Sequence, residues 1–245
     1  MYIYIMTKNT FILSLFCLVF FFGIGTLSAQ DSQTKNTQIL IQPPYLKTGD
    51  TVAIVAPSGI LKGKTGEVQQ AETLLKSWGL NVVVGKHVFS QSNHFAGTDD
   101  ERCEDFQKAM DDPSIRAIWC ARGGYGTVRI LDKLDFTKIK ENPKWLIGYS
   151  DITALHSQFH NEGLETLHAL MPMSLSDDPK DTVETIATFK KAIFGAPLSY
   201  TLKGSDYNKT GTVSAPLVGG NLTMLHTMLG SKTSLDTSGK ILFIE

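Results

Sequence analysis

The sequence is poor in cysteine, in net charge and in long apolar runs, and each shortage removes a class of protein. Three cysteines in 245 residues make no disulfide framework, and Cys17 lies in an N-terminal apolar run. Cys103 and Cys120 read as two buried thiols; an exported chain also allows a disulfide between them, which the sequence does not decide. Lysine and arginine number 23 against 24 acidic residues, a near-neutral balance that gives no ground for a nucleic-acid partner. There is no internal repeat and no low-complexity tract. The longest apolar run, residues 11–25 (FILSLFCLVFFFGIG), falls short of the roughly 20 residues a membrane-spanning helix needs. With Lys8 before it and Thr26-Leu27-Ser28-Ala29 after it, the run has the pattern of a signal peptide cleaved near Ala29. No cysteine follows the small residues, so a lipid-anchored product is not supported. The chain is therefore expected to be exported, to the periplasm, with no stable membrane anchor after cleavage.

Residues 30–43 read as a flexible lead-in, which leaves roughly 200 residues, enough for one large domain or two smaller ones. Between residues 51 and 170, short β-branched apolar runs alternate with segments of helical period, the pattern of a βαβ series with a mainly parallel sheet. The strand candidates are Thr51–Ala56, Leu80–Val84, Ile115–Cys120, Trp145–Tyr149 and, more weakly, Leu164–Ala169. They are nearly continuous in apolar character, as in strands covered on both faces. Val68, Ala71, Leu74, Leu75 and Trp78 share one helical face, stopped by Gly79. Thr98 and Glu101 predict a capping box for a helix carrying Phe106 and Met110. Ile152, Leu155 and Phe159 form a third stripe, ended by Gly163. These elements give an α/β fold, with a flavodoxin-like N-terminal domain over residues 44–180. A helix and linker follow over 181–211. Residues 212–245 read as the start of a smaller, β-rich C-terminal domain that is incomplete, because the chain stops within the apolar run Ile241-Leu242-Phe243-Ile244.

In doubly wound folds ligands gather beyond the carboxyl ends of the strands. Four places qualify: Pro57-Ser58-Gly59, the run Arg122-Gly123-Gly124-Tyr125-Gly126, Ser150-Asp151, and His168 at the end of the weak fifth strand. Gly148-Tyr149-Ser150 puts a hydroxyl where strand turns into helix, as in the nucleophile elbow of serine hydrolases, and the helix start favours a nearby oxyanion. Ser followed by Asp is equally an ordinary helix N-cap, and Ile152 stands where the full Gly-x-Ser-x-Gly pattern has its second glycine. The glycine run lets backbone amides approach an oxyanion or a phosphate, or forms a plain tight turn; it is neither a Walker motif nor a dinucleotide fingerprint. A nucleophilic serine needs a base, and spacing marks none of His87, His94, His156, His160, His168 and His226 as one. His156 and His160, four apart on a helix, read as surface positions rather than a metal pair, and His226 as structural. No metal or cofactor is expected.

Five segments in order resemble the serine peptidases that include the L,D-carboxypeptidases (muramoyltetrapeptide carboxypeptidases) and the microcin C self-immunity peptidases. They are Gly49-Asp50-Thr51-Val52-Ala53-Ile54-Val55-Ala56-Pro57-Ser58, Arg122-Gly123-Gly124-Tyr125-Gly126, Gly148-Tyr149-Ser150-Asp151-Ile152-Thr153, Gly219-Gly220-Asn221-Leu222 and Ile241-Leu242-Phe243-Ile244-Glu245. The resemblance runs from about Pro44 to Glu245. It implies a Ser-Glu-His triad on two domains, with Ser150 at the nucleophile's position and Glu245 at that of the acid. The amides of Asp151, Gly123 and Gly124 match the oxyanion-binding region. As a loop residue, Arg122 reads either as a bidentate partner for a substrate carboxylate or as a solvated charge. The family's histidine lies downstream of the glutamate, beyond Glu245. The implied reaction releases a terminal D-alanine from peptidoglycan tetrapeptides, and the implied assembly is a homodimer. Two rival readings stay open: a small-ligand-binding α/β module without catalysis, and an inactive fragment.

Overall fold

A computed structural model describes residues 40–175, 182–201 and 203–245. The expected signal peptide and most of the lead-in lie outside the described residues, as do residues 176–181 and 202. The order of elements is β1 (Thr51–Val55), α1 (Thr65–Ser77), β2 (Asn81–Val84), α2 (Asp99–Asp111), β3 (Ile115–Cys120), β4 (Trp145–Gly148), α3 (Thr153–Asn161), β5 (Leu167–His168), α4 (Val183–Ile193), β6 (Leu217–Gly220), α5 (Leu222–Thr227) and β7 (Ile241–Ile244). Among the described residues no helix is long and apolar enough to cross a membrane.

The first five strands form one parallel sheet in the order β2-β1-β3-β4-β5. This is the flavodoxin-like order, with its switch point between β1 and β3. The strands read as continuous apolar runs because both faces are covered. Val52 and Ile54 pack with Val68, Ala71 and Leu75 of α1 and with Phe189 and Ile193 of α4. Their neighbours Ala53 and Val55 face the other way, against Phe106 and Met110 of α2 and Leu155 and Phe159 of α3. Side chains alternate across a strand, so one run serves two cores. The expected capping box opens α2: the Thr98 side chain accepts from the Glu101 amide at 3.2 Å, and Glu101 accepts from the Thr98 amide at 2.7 Å.

The second sheet has two strands, β6 and β7, paired in parallel and linked by α5. Gly219 makes this pairing possible: a Cβ added there would lie 1.8 Å from the Phe243 carbonyl oxygen. Asn221 caps α5 by accepting from the Met224 amide at 3.2 Å. The unit leans on α3, because a Cβ on Gly220 would strike the Thr153 hydroxyl at 2.4 Å, and that same hydroxyl accepts from the Asn221 amide at 2.9 Å. Both free thiols are found, Cys120 buried and Cys103 half-buried. Burial raises the pKa of each.

Candidate active site

The sharpest backbone feature lies where β4 ends. Ser150 has φ of 60°, and it and Asn93 are the only non-glycine residues with positive φ among those described. A serine in the left-handed region is strained by roughly 1–2 kcal/mol and persists only where its surroundings hold it. This geometry separates the two local readings of Gly148-Tyr149-Ser150-Asp151. An N-cap serine has extended backbone and accepts a bond from the first turn. Ser150 does neither: it opens the 3-10 turn Ser150–Ile152, and no side chain caps that turn or α3. The turn has the geometry of an elbow, with its hydroxyl-bearing residue at the crest. Gly148 lets α3 sit close beneath, since a Cβ there would meet Ile152 at 2.9 Å.

The glycine loop after β3 faces the elbow. A Cβ on Gly123 would stand 3.2 Å from Ser150 Cβ, 3.4 Å from its Oγ and 3.5 Å from the Asp151 nitrogen. Gly123 thus leaves open a small space bounded by the serine hydroxyl and the Asp151 amide. Gly124 and Gly126 have φ of 118° and 141°, which only glycine adopts without strain. The loop is tied to the turn after β1 by the Gly59 amide donating to the Gly123 carbonyl at 3.1 Å. Buried Arg102 donates from Nη1 to the carbonyls of Pro57 (2.6 Å) and Gly126 (2.9 Å), joining the same two segments. Arg122 donates from Nη1 to the Ile60 carbonyl.

Glu245 follows the last strand and reaches the elbow from the second sheet. Its Oε2 accepts the Ser150 backbone N–H at 3.0 Å, across 95 residues of sequence. The Glu245 amide in turn donates to the Gly220 carbonyl at 2.9 Å. His168, at the end of β5, brings Nε2 to 3.5 Å from the same carboxylate oxygen. Its ring packs edge-on against Phe243, with centroids 5.0 Å apart. Burial lowers the His168 pKa, and the Glu245 charge opposes that shift. A strained serine, the Asp151 nitrogen beside the gap next to its hydroxyl and a carboxylate on its backbone N–H are groups that acyl transfer can use.

Comparison with known proteins bears on the same residues. Residues 52–169 match the LD-carboxypeptidase N-terminal domain and residues 214–245 the LD-carboxypeptidase C-terminal domain. The chain belongs to the LD-carboxypeptidase family. The murein tetrapeptide carboxypeptidase of Pseudomonas aeruginosa is 32% identical over 203 residues, which is 79% of this chain and 65% of that protein. The crystal structure of the muramoyltetrapeptide carboxypeptidase from Oxalobacter formigenes superposes with a TM-score of 0.67 at 31% identity, covering 79% of this chain and 65% of that one. The microcin C7 self-immunity protein MccF, in complex with aspartyl sulfamoyl adenosine, gives a TM-score of 0.71 at 25% identity over 84% of this chain and 70% of that one. The chain spans just under two thirds of the length of the curated relatives it matches, 64%, 66% and 65% for three of them.

The histidines of this LD-carboxypeptidase chain divide sharply. His156, read from sequence as a surface position, is only 6% exposed. Its Nε2 donates to the Gly148 carbonyl at 2.9 Å, and its Nδ1 accepts from the Thr166 hydroxyl at 2.8 Å. The Gly148 carbonyl can only accept, so Nε2 carries a proton, and burial lowers the pKa from 6.5 to about 4, which favours the neutral ring under the elbow. The correction has a plain cause: residue 156 falls on the same helical stripe as Ile152, Leu155 and Phe159. His160 stands beside the Lys240 ammonium, 3.3 Å away, and His87 pairs with Glu104 at 3.2 Å. Among the described residues, no histidine hydrogen-bonds the Ser150 hydroxyl.

Two further residues of the site had no assigned role in the sequence reading. Ser58, in a turn singled out only for its position after β1, donates its hydroxyl to Asp151 Oδ2 at 2.5 Å. Thr127, just past the glycine loop, donates its amide to the same oxygen at 3.0 Å and its hydroxyl to the Asp151 carbonyl at 2.6 Å.

Proposed function

We propose that the chain is the nucleophile-bearing part of a serine-type L,D-carboxypeptidase that releases the terminal D-alanine from peptidoglycan tetrapeptides outside the cytoplasm. The observation that carries this reading is Ser150 at φ 60° with Gly123 against its hydroxyl and Glu245 on its backbone N–H. Ser150 Oγ attacks the scissile carbonyl carbon while a histidine base takes the hydroxyl proton. The oxyanion is held by the amides of Asp151 and of the Gly123-Gly124 loop. Collapse breaks the C–N bond, the histidine passes its proton to the departing D-alanine amine, and water then cleaves the Ser150 ester. Glu245 keeps the imidazole in the tautomer that accepts the proton. The resemblance puts that histidine downstream of Glu245, in the third of the relatives' length that this chain does not span. Arg122 is assigned to the carboxylate of the departing D-alanine.

The test is D-alanine release from a tetrapeptide by the complete gene product and by Ser150→Ala. Loss of a nucleophile lowers turnover by about 10³-fold or more, and that is the expected result. Equal release by the two proteins would rule out Ser150. The likeness to MccF supports a second substrate class, so the same pair is assayed on an aspartyl adenylate. Cleavage there, with no D-alanine release, would move the substrate assignment and leave the site unchanged.

A further inference from the structure

We infer that Ser58 and Thr127 are positioning residues that aim the Asp151 amide at the oxyanion, an inference that rests on the proposed role of Ser150. An acid in the first turn of a helix ordinarily lies in solvent and stabilises through the helix dipole. Asp151 is 1% exposed, and its Oδ1 is buried without a hydrogen-bond partner among the described residues. Helix stabilisation alone does not account for burying a carboxyl group in this way.

Its contacts point to another role. Ser58 is completely buried, 93 residues earlier in the chain, and donates to Asp151 Oδ2 at 2.5 Å. Thr127, also completely buried, holds Asp151 twice, by its amide on Oδ2 at 3.0 Å and its hydroxyl on the Asp151 carbonyl at 2.6 Å. The Asp151 backbone is therefore gripped through its carbonyl, and its side chain through a carboxylate oxygen. With both ends fixed, the residue cannot rotate its amide away from the space that Gly123 leaves beside Ser150 Oγ. The two clamps come from the loops after β1 and β3, so they also hold the strained φ of Ser150, which follows β4. A strained residue needs such over-determination.

The experiment uses the complete gene product with Ser58→Ala, and with Thr127→Val, which keeps the shape and the amide but removes one hydroxyl bond. Both are expected to lower kcat by about 10- to 100-fold with KM within about twofold, since a misaimed amide weakens the transition state more than the bound substrate. Ser58→Cys, a weaker donor, should recover part of the loss. Hydrogen exchange at the Asp151 amide, read by NMR, should quicken in both variants. A purely structural role predicts a lower melting temperature with kcat unchanged well below it, and that result would overturn the inference. So would Asp151 exchange identical to wild type in variants that fold, whatever the turnover. If Ser58→Ala fails to fold, Thr127→Val carries the test. The underlying reading fails separately: Ser150→Ala would then turn over like wild type, whereas an inactive Ser150→Ala beside a fully active Ser58→Ala refutes the clamp alone.

Discussion

Acidification charges His156 in the unfolded chain well before it does so in the folded one. Its ring sits under the elbow, donating to Gly148 and accepting from Thr166, with a pKa lowered from 6.5 to about 4 by burial. A depressed histidine pKa means that the unfolded state binds the extra proton between those two values, so stability falls as pH drops through that window. The loss between pH 7 and pH 4.5 comes to about 2 kcal/mol, a large part of a typical domain's stability. His160 and His168, also lowered by burial, add to the trend in the same direction. Carboxylates held below their ordinary pKa, such as Asp99 beside Arg129, lose their contribution at lower pH, below about 4. The measurement must therefore be a difference. Urea unfolding of wild type and His156→Gln from pH 4.5 to 7.5 cancels the common groups. Wild type should lose stability relative to the variant by about 2 kcal/mol across that range. Parallel curves would refute the neutral, buried imidazole.

Two other perturbations test the site and its frame. Gly123→Ala puts a methyl group 3.4 Å from Ser150 Oγ, in the space assigned to the oxyanion; turnover should drop about 100-fold while the melting temperature moves by no more than a few degrees. A large fall in melting temperature with kcat preserved would mean the space is only structural. Lys144 is buried and donates to the carbonyls of Asp112 (2.5 Å) and Ile115 (3.1 Å), and burial lowers its pKa to about 8. The unfolded chain then holds the extra proton between pH 8 and the ordinary lysine value, so wild type should gain stability relative to Lys144→Met as pH rises from 8 to 10. A flat difference in chemical denaturation over that range would count against it.

Much of the N-terminal fold is legible in local pattern because its physics is local. Runs such as Thr51–Val55 announce a doubly covered strand by being apolar at every position, and Thr98 with Glu101 announces a helix start. β6 is not legible in this way. Leu217–Gly220 includes two glycines, poor strand formers, because β7 approaches Gly219 and Thr153 of α3 approaches Gly220 too closely for a Cβ. The burial of His156 had a readable signal, since its spacing from Ile152 and Phe159 puts it on the apolar stripe; its polarity argued the other way. Ser58 and Thr127 lie 93 and 24 residues from the aspartate they hold. No periodicity or spacing rule reaches across such distances, so contacts made only by tertiary folding stay silent in the sequence. Glu245 was assigned through family likeness, not through any local feature, for the same reason.

The pairing of β6 with β7 turns strand alignment into a question of molecular fidelity. Gly220 pairs with Ile244, and the next residue along is the carboxylate that meets Ser150. A one-residue slip would deliver an isoleucine to that amide and carry Glu245 past it, because neighbouring side chains point to opposite faces. Such a misaligned molecule would keep its helices, its five-stranded sheet and nearly all its circular dichroism. Its error would show as a re-paired β6–β7 ladder and a lost Glu245–Ser150 bond, which makes the Ser150 amide resonance a direct proofreading signal for this part of the fold.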